Sequence, residues 1–168
     1  MPKFYKLDSE DFEIKPDELL VIAIHSPGAP YYTLAHFLDQ KMNWDLINIK
    51  DLYSPDDNSA YLLNVLSHVD EISRVQYFLI ENRFEHHSWI SRFYDVDHWL
   101  MVTGSGLNDS RIDVDKLLDS LNKTEFIFGV WTIDFDDSLY GGRVTSPFKY
   151  FQSLYDFLDD KGFILRFE

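Results

Sequence analysis

The chain has no cysteine among its 168 residues. That absence excludes disulfides, thiolate zinc sites, iron–sulfur ligation and a thiol nucleophile together, and it suits a reducing compartment. Long apolar runs are also missing. The longest, Leu19 to Ile24, falls far short of the ~20 residues that a membrane-spanning helix needs. The opening stretch MPKFYKLDSEDFEI lacks the basic and then apolar layout of a secretory signal, so a cytoplasmic protein is expected. Positive charge is scarce: 15 Lys and Arg stand against 29 Asp and Glu, for a formal net charge of −14. The few basic residues are scattered rather than clustered, which argues against nucleic acid and against anionic membrane surfaces as partners.

Aromatic residues, in contrast, are abundant, with 14 Phe, 10 Tyr and 4 Trp. Most must be core, because each buries a large apolar area. The surplus points to a ligand pocket or a subunit interface. The length and the 45% apolar content fit one globular domain spanning residues 1–168, without linker, repeat or low-complexity tract.

The hydropathy pattern predicts the elements. Phe4 to Leu7 alternates like a short edge strand. Leu19 to Ile24 reads as a buried strand, and the breaker-rich His25-Ser26-Pro27-Gly28-Ala29-Pro30 ends it. With Pro30 at its first position, a helix follows, its spacing carried by Tyr31, Leu34, Ala35, Leu38 and Met42. Leu46 to Leu52 alternates as a strand. Tyr61 to Val69 and Val75 to Ile80 read as a hairpin, with a helix over Tyr61 to Leu66 as the alternative. His98 to Thr103 is a further apolar strand, ended by Gly104-Ser105-Gly106.

Asp113 is placed to cap a helix whose buried stripe is Val114, Leu117, Leu118 and Leu121. Glu125 to Ile133 reads as a strand. Ser146-Pro147 opens a last helix with Phe148, Phe151, Leu154, Tyr155 and Leu158 on its apolar face, ended by Gly162. Phe163 to Phe167 could add a short strand. Hairpins mixed with two or three helices predict an α+β fold with a mainly antiparallel sheet and the helices packed on one face; a ferredoxin-like frame is compatible with that order.

The segment Ile90-Ser91-Arg92-Phe93-Tyr94-Asp95-Val96-Asp97-His98 resembles the signature of the IPExxxVDY family of small bacterial proteins of unknown function. Ile90, Val96 and Asp97 match its letters, while Ser91, Arg92 and His98 stand where the pattern has Pro, Glu and Tyr. The resemblance covers roughly residues 4 to 133. It implies a cytoplasmic bacterial protein and assigns no catalytic residue and no cofactor.

Candidate chemistry is thin. His86, His87 and His98, with Asp97, are the best metal-ligand candidates by residue type. Adjacent residues of a strand point to opposite faces, so surface histidines are the simpler reading. His25 and Ser26 precede a helix N-terminus, where a small anion could be held, and Ser26 could be a weak nucleophile beside His25; loop capping accounts for both as well. Trp99 completes the ligand-binding candidates as an aromatic wall. Gly104-Ser105-Gly106 lacks the remaining letters of a dinucleotide or phosphate loop and reads as a turn. Asp134-Phe135-Asp136-Asp137 lacks the glycine and distal glutamate of a calcium loop. His36 reads as facing water, and His68 has no visible partner.

Three functions follow as expectations. The first is a non-enzymatic protein-interaction domain forming a homodimer. The second is a small-ligand-binding regulatory domain using the His25–Pro30 entrance. The third is a metal-assisted hydrolase built on His86, His87 and His98. No catalytic residue and no cofactor is assigned.

Overall fold

A computed structural model describes residues 19–53, 62–84, 87–90, 93, 95–133 and 147–167. The strands are β1 (Leu19–His25), β2 (Ile47–Tyr53), β3 (Leu62–Asp70), β4 (Val75–Glu81), β5 (Arg83–Phe84), β6 (His87–Ser88), β7 (His98–Thr103) and β8 (Gly129–Thr132). The helices are α1 (Tyr31–Met42), α2 (Ser105–Asn108), α3 (Val114–Asn122) and α4 (Phe148–Asp160). Six strands form one sheet in the order β2-β3-β4-β7-β1-β8, every neighbouring pair antiparallel, and β5 and β6 form a separate small ribbon.

This is the expected α+β class. The hairpin of β3 and β4 is present, and the helical alternative for Tyr61 to Leu66 gives way to β3 from Leu62 onward, Tyr61 lying outside the described residues. Two of the expected helices share a face, but the third does not join them. Side chains alternate along each central strand, so each strand feeds two cores. Ile22, Ile24, Leu79, Leu100 and Val102 pack against Leu34, Ala35 and Leu38 of α1 and Leu117 and Leu121 of α3. Val21, Ala23, Phe78, Ile80, Trp99 and Met101 pack on the opposite face against Phe151, Leu154 and Leu158 of α4. Strands β4 and β7 are therefore apolar at nearly every position, as a doubly covered strand must be. Three strands stand between β1 and β2, so α1 spans a wider sheet than the split β-α-β unit of a ferredoxin-like frame.

Local signals set most boundaries. The Asp113 carboxylate accepts from the Lys116 amide at 3.1 Å and caps α3 as expected. Pro30 is the residue before α1 rather than its first residue, with extended φ and ψ. The strand expected over Glu125 to Ile133 shortens to β8, because Phe126 adopts a left-handed φ of 72° and Ile127 donates back to the Thr124 carbonyl. Phe163 to Phe167 is not a strand. Its backbone is clamped instead by the buried Gln76 amide, which donates to the Phe163 carbonyl and accepts from the Leu165 amide. Gly104 and Gly106 press on the β3–β4 turn, where a Cβ on Gly106 would meet the Ser73 carbonyl; where a turn is expected over Gly104-Ser105-Gly106 the chain instead enters α2 at Ser105, and close backbone approach accounts for the glycines. Phe4 to Leu7, Asp134 to Asp137 and Ser146 lie outside the described residues.

Candidate functional site

The first strand runs out into Ser26–Pro30, where Gly28 takes a left-handed φ of 81° and the Ala29 amide donates to the Ser26 carbonyl at 3.2 Å. Beside it, the chain enters β7. The Asp97 amide donates to the Ile24 carbonyl at 2.9 Å, which continues the β1–β7 ladder by one step. That step carries the Asp97 carboxylate to the Ser26 amide, whose hydrogen bond it accepts at 2.8 Å. The same carboxylate lies 3.2 Å from His25 Nδ1, and its other oxygen lies 3.7 Å from Arg83 Nη1. His25 Nδ1 also donates to the Asp95 carbonyl at 3.0 Å.

His98 stands next along β7, opposite both Ile24 and Glu81. Antiparallel partners share a face, so His98 and Glu81 lie on the α1 side of the sheet, with Ser26 two steps beyond Ile24. His98 Nδ1 and Ser26 Oγ are 2.8 Å apart. Ser26 is fully buried and His98 is 2% exposed. Burial pushes the His98 imidazole down to about 4, so it is neutral at pH 7. Its Nε2 has no hydrogen-bond partner among the described residues. Glu81 Oε1 accepts from Asn64 Nδ2 at 2.6 Å, yet burial holds this carboxyl above its ordinary range.

One side chain props up this corner. Asn82 is fully buried, donates to the Phe93 and Val96 carbonyls at 3.1 and 2.8 Å, and accepts from the Ile90 amide at 3.0 Å. Its backbone amide donates to the Asp97 carbonyl. The three residues that carry the family resemblance, Ile90, Val96 and Asp97, are therefore tied together through Asn82. Together the Ser26–Pro30 loop, Glu81, Arg83, Asp97 and His98 line a cleft of ≈ 520 Å³. The N-terminus of α1 opens from the same loop; no side chain caps it and no acidic residue occupies its first turn.

Of the residues singled out from the sequence, His25, Ser26, Asp97 and His98 come together here. Trp99 does not. It is one step along β7 from His98 and so points to the opposite face, buried between Phe93 and Phe151 with ring centroids 5.4 and 5.2 Å away. As a ligand-binding candidate it is corrected to a core residue. His86 lies outside the described residues, and of His87 the backbone alone is described, in β6. His98 pairs with Ser26. Among the described residues no group of three or more potential ligands is placed to hold a metal ion. His68 also has partners after all, accepting from the Asp45 amide and stacking on Trp44.

Sequence reading missed Glu81, Arg83 and Asn82. A lone polar triplet around Asn82 after the apolar run of β4 was the available signal. Chemically, the cleft differs from a hydrolytic triad. Asp97 engages the Ser26 backbone and lies beside His25 rather than holding the His98 imidazole, so the Ser26–His98 pair has no carboxylate behind it among the described residues, and Ser26 Oγ is shielded from solvent. Four buried side-chain atoms have no partner among the described residues, Trp89 Nε1, His98 Nε2, Trp99 Nε1 and Gln152 Oε1, and of these residues His98 is the one that lines the cleft. No family model, curated protein or solved structure matches the chain.

Proposed function

We propose that this protein is a small-ligand-binding domain whose site is the cleft between the Ser26–Pro30 loop and the ends of β4 and β7. The observation that carries this reading is the unpartnered Nε2 of His98, buried in the wall of the cleft. A buried polar atom without a partner costs on the order of 1–3 kcal/mol, and a ligand reaching it recovers that loss. The uncapped end of α1 beside it supports the same reading. Ile90, Val96 and Asp97, all tied to the support of this corner, fit kinship with the IPExxxVDY family.

The test is ligand-observed saturation-transfer NMR with a soluble fragment library, on the full chain and on His98→Phe. Binding fragments are expected to lose their signal in the variant while its amide spectrum stays dispersed. Identical hits on both proteins would sink the reading.

A homodimer is the second reading. Phe126, Phe128 and Trp131 are exposed around β8, the short strand at the end of the sheet, and Phe128 is 73% exposed. Exposed aromatics beside a terminal strand favour association. Sedimentation of the wild type and of Trp131→Lys at tens of micromolar tests it; a monomer in both cases removes it.

A further inference from the structure

The polar groups of the cleft define the charge pattern of what fits there, an inference that rests on the ligand-binding reading above. Ser26 has one hydroxyl hydrogen, and its hydrogen-bond partner among the described residues is His98 Nδ1. If Nδ1 carried the imidazole proton, that hydroxyl hydrogen would have no acceptor. Ser26 therefore donates, Nδ1 accepts, and the proton sits on Nε2. The cleft wall thus holds a buried N–H donor with no acceptor among the described residues. Arg83 adds a second donor group. Its guanidinium is half exposed, and its contact with Asp97 at 3.7 Å is beyond hydrogen-bond distance. The first turn of α1, uncapped and free of acid, adds the positive end of a helix. These three features ask for a carboxylate.

A second demand comes from Glu81. Its carboxylate faces the same cleft, and its hydrogen bond comes from the Asn64 amide at one oxygen. A carboxylate offers about four acceptor positions, and among the described residues the Asn64 amide takes up one of them. Glu81 and His98 are direct ladder partners, which puts their Cβ atoms roughly 5 Å apart. The two demands therefore lie within the span of one small head group.

We propose that the cleft receives a small zwitterion of the α-amino acid type, its carboxylate on His98 Nε2–H, Arg83 and the first turn of α1, its ammonium on Glu81. A simple carboxylate would meet the donors but bring a further negative charge beside Glu81 and Asp97, in a chain that already carries −14. A phosphate dianion would do so twice over. A simple amine would satisfy Glu81 and leave the His98 donor unmet. The zwitterion alone matches both sets without changing the net charge.

The test uses the full-length protein, labelled with ¹⁵N and ¹³C, and follows the side-chain nitrogens of His98 and Arg83 and the amides of Tyr31 and Tyr32. The standard amino acids are titrated singly. The tightest is then compared with its des-amino acid, its carboxamide and inorganic phosphate. Saturable shifts are expected with the amino acid, and removing either charged group is expected to weaken binding by about tenfold or more. Arg83→Gln should weaken both carboxylate probes. Glu81→Gln should weaken the amino acid and leave the des-amino acid unchanged or tighter. Equal binding of the des-amino acid, or saturation by phosphate with the amino acids silent, would overturn the zwitterion and leave the ligand-binding reading standing. If no probe moves these resonances, both fall.

Discussion

Ser26 Oγ and His98 Nδ1 lie 2.8 Å apart in the interior although 72 positions separate them in the chain. The bond ties the exit of β1 to the entry of β7, and with Ser26 as donor it leaves the imidazole proton on Nε2. Ser26→Ala is expected to destabilise the fold by about 1–3 kcal/mol, because it leaves a buried Nδ1 without a donor. His98→Phe removes the orphaned partner, so the double variant should cost less than the two single variants together. Urea unfolding of the four proteins measures this, and strict additivity would show that the bond contributes nothing.

The buried imidazole makes stability depend on acid. His98 titrates near 4 in the folded protein against 6.5 when free, so between these values the unfolded chain binds more protons. Stability is full above about pH 6.5, falls as the pH drops toward 4, and changes no further through this group below that. The difference corresponds to roughly 3 kcal/mol. His98→Gln should lack this component. Urea midpoints of wild type and variant, taken from pH 7.5 to pH 4, should therefore converge; parallel curves would mean that His98 protonates freely in the folded state.

Glu81 works with the opposite sign. Burial raises its carboxyl above the ordinary 4.5, so the folded state holds this proton more tightly than the unfolded chain does. At neutral pH the charged form is the penalised one. Glu81→Gln should raise the melting temperature at pH 7.5, and that gain should vanish near pH 4, where the penalty is already relieved. A loss of stability at pH 7.5 would assign the carboxylate a favourable interaction within the protein itself. A residue that weakens the fold while facing an open cleft is consistent with a place in ligand binding.

Asn82 holds the corner through three side-chain hydrogen bonds to Ile90, Phe93 and Val96. Asn82→Ala strands buried backbone groups at both ends of that segment and is expected to cost roughly 3–5 kcal/mol. Asn82→Asp keeps the shape but turns two donors into acceptors facing carbonyls, so it should be no better tolerated. Hydrogen exchange at the Ile90 amide should accelerate in both variants. A cost below about 1 kcal/mol would mean that water replaces the side chain without loss.

Gly106 and Gly129 form a matched pair for backbone approach. A Cβ at Gly106 would collide with the Ser73 carbonyl, which is backbone and cannot swing aside, whereas a Cβ at Gly129 meets nothing within 4 Å. Gly106→Ala is expected to cost more than about 3 kcal/mol or to abolish folding, and Gly129→Ala to stay within about 1 kcal/mol. Thermal unfolding of both decides it; similar melting temperatures would show that the turn of Ser73 yields.

Much of the architecture was legible because it is local. The alternation and apolar runs of β1, β4 and β7, the Asp113 cap and the stripe of α4 each depend on residues a few positions apart, and chain physics over that range is read directly from spacing. The errors are equally physical. The strand expected from Glu125 starts late, at Gly129, because Phe126 turns left-handed, a choice that apolar composition does not encode. Phe163 to Phe167 looked like a strand and is a clamped segment, because Gln76, far away in sequence, supplies the hydrogen bonds that a neighbouring strand would have supplied.

The sequence by itself determined the α+β class, the position of the loop at His25–Pro30, and the shortage of positive charge that any ligand must accommodate. Only the tertiary structure decided what meets at that loop. Trp99 and His98 are neighbours with similar buried surroundings, yet strand alternation sends one into the α4 core and the other to Ser26. Which face is which depends on the pairing of β7 with β1 and β4, and that is set by the whole sheet rather than by any segment. The convergence of Glu81, Arg83 and His98 has the same origin: antiparallel pairing brings together ends of the chain that no local periodicity relates.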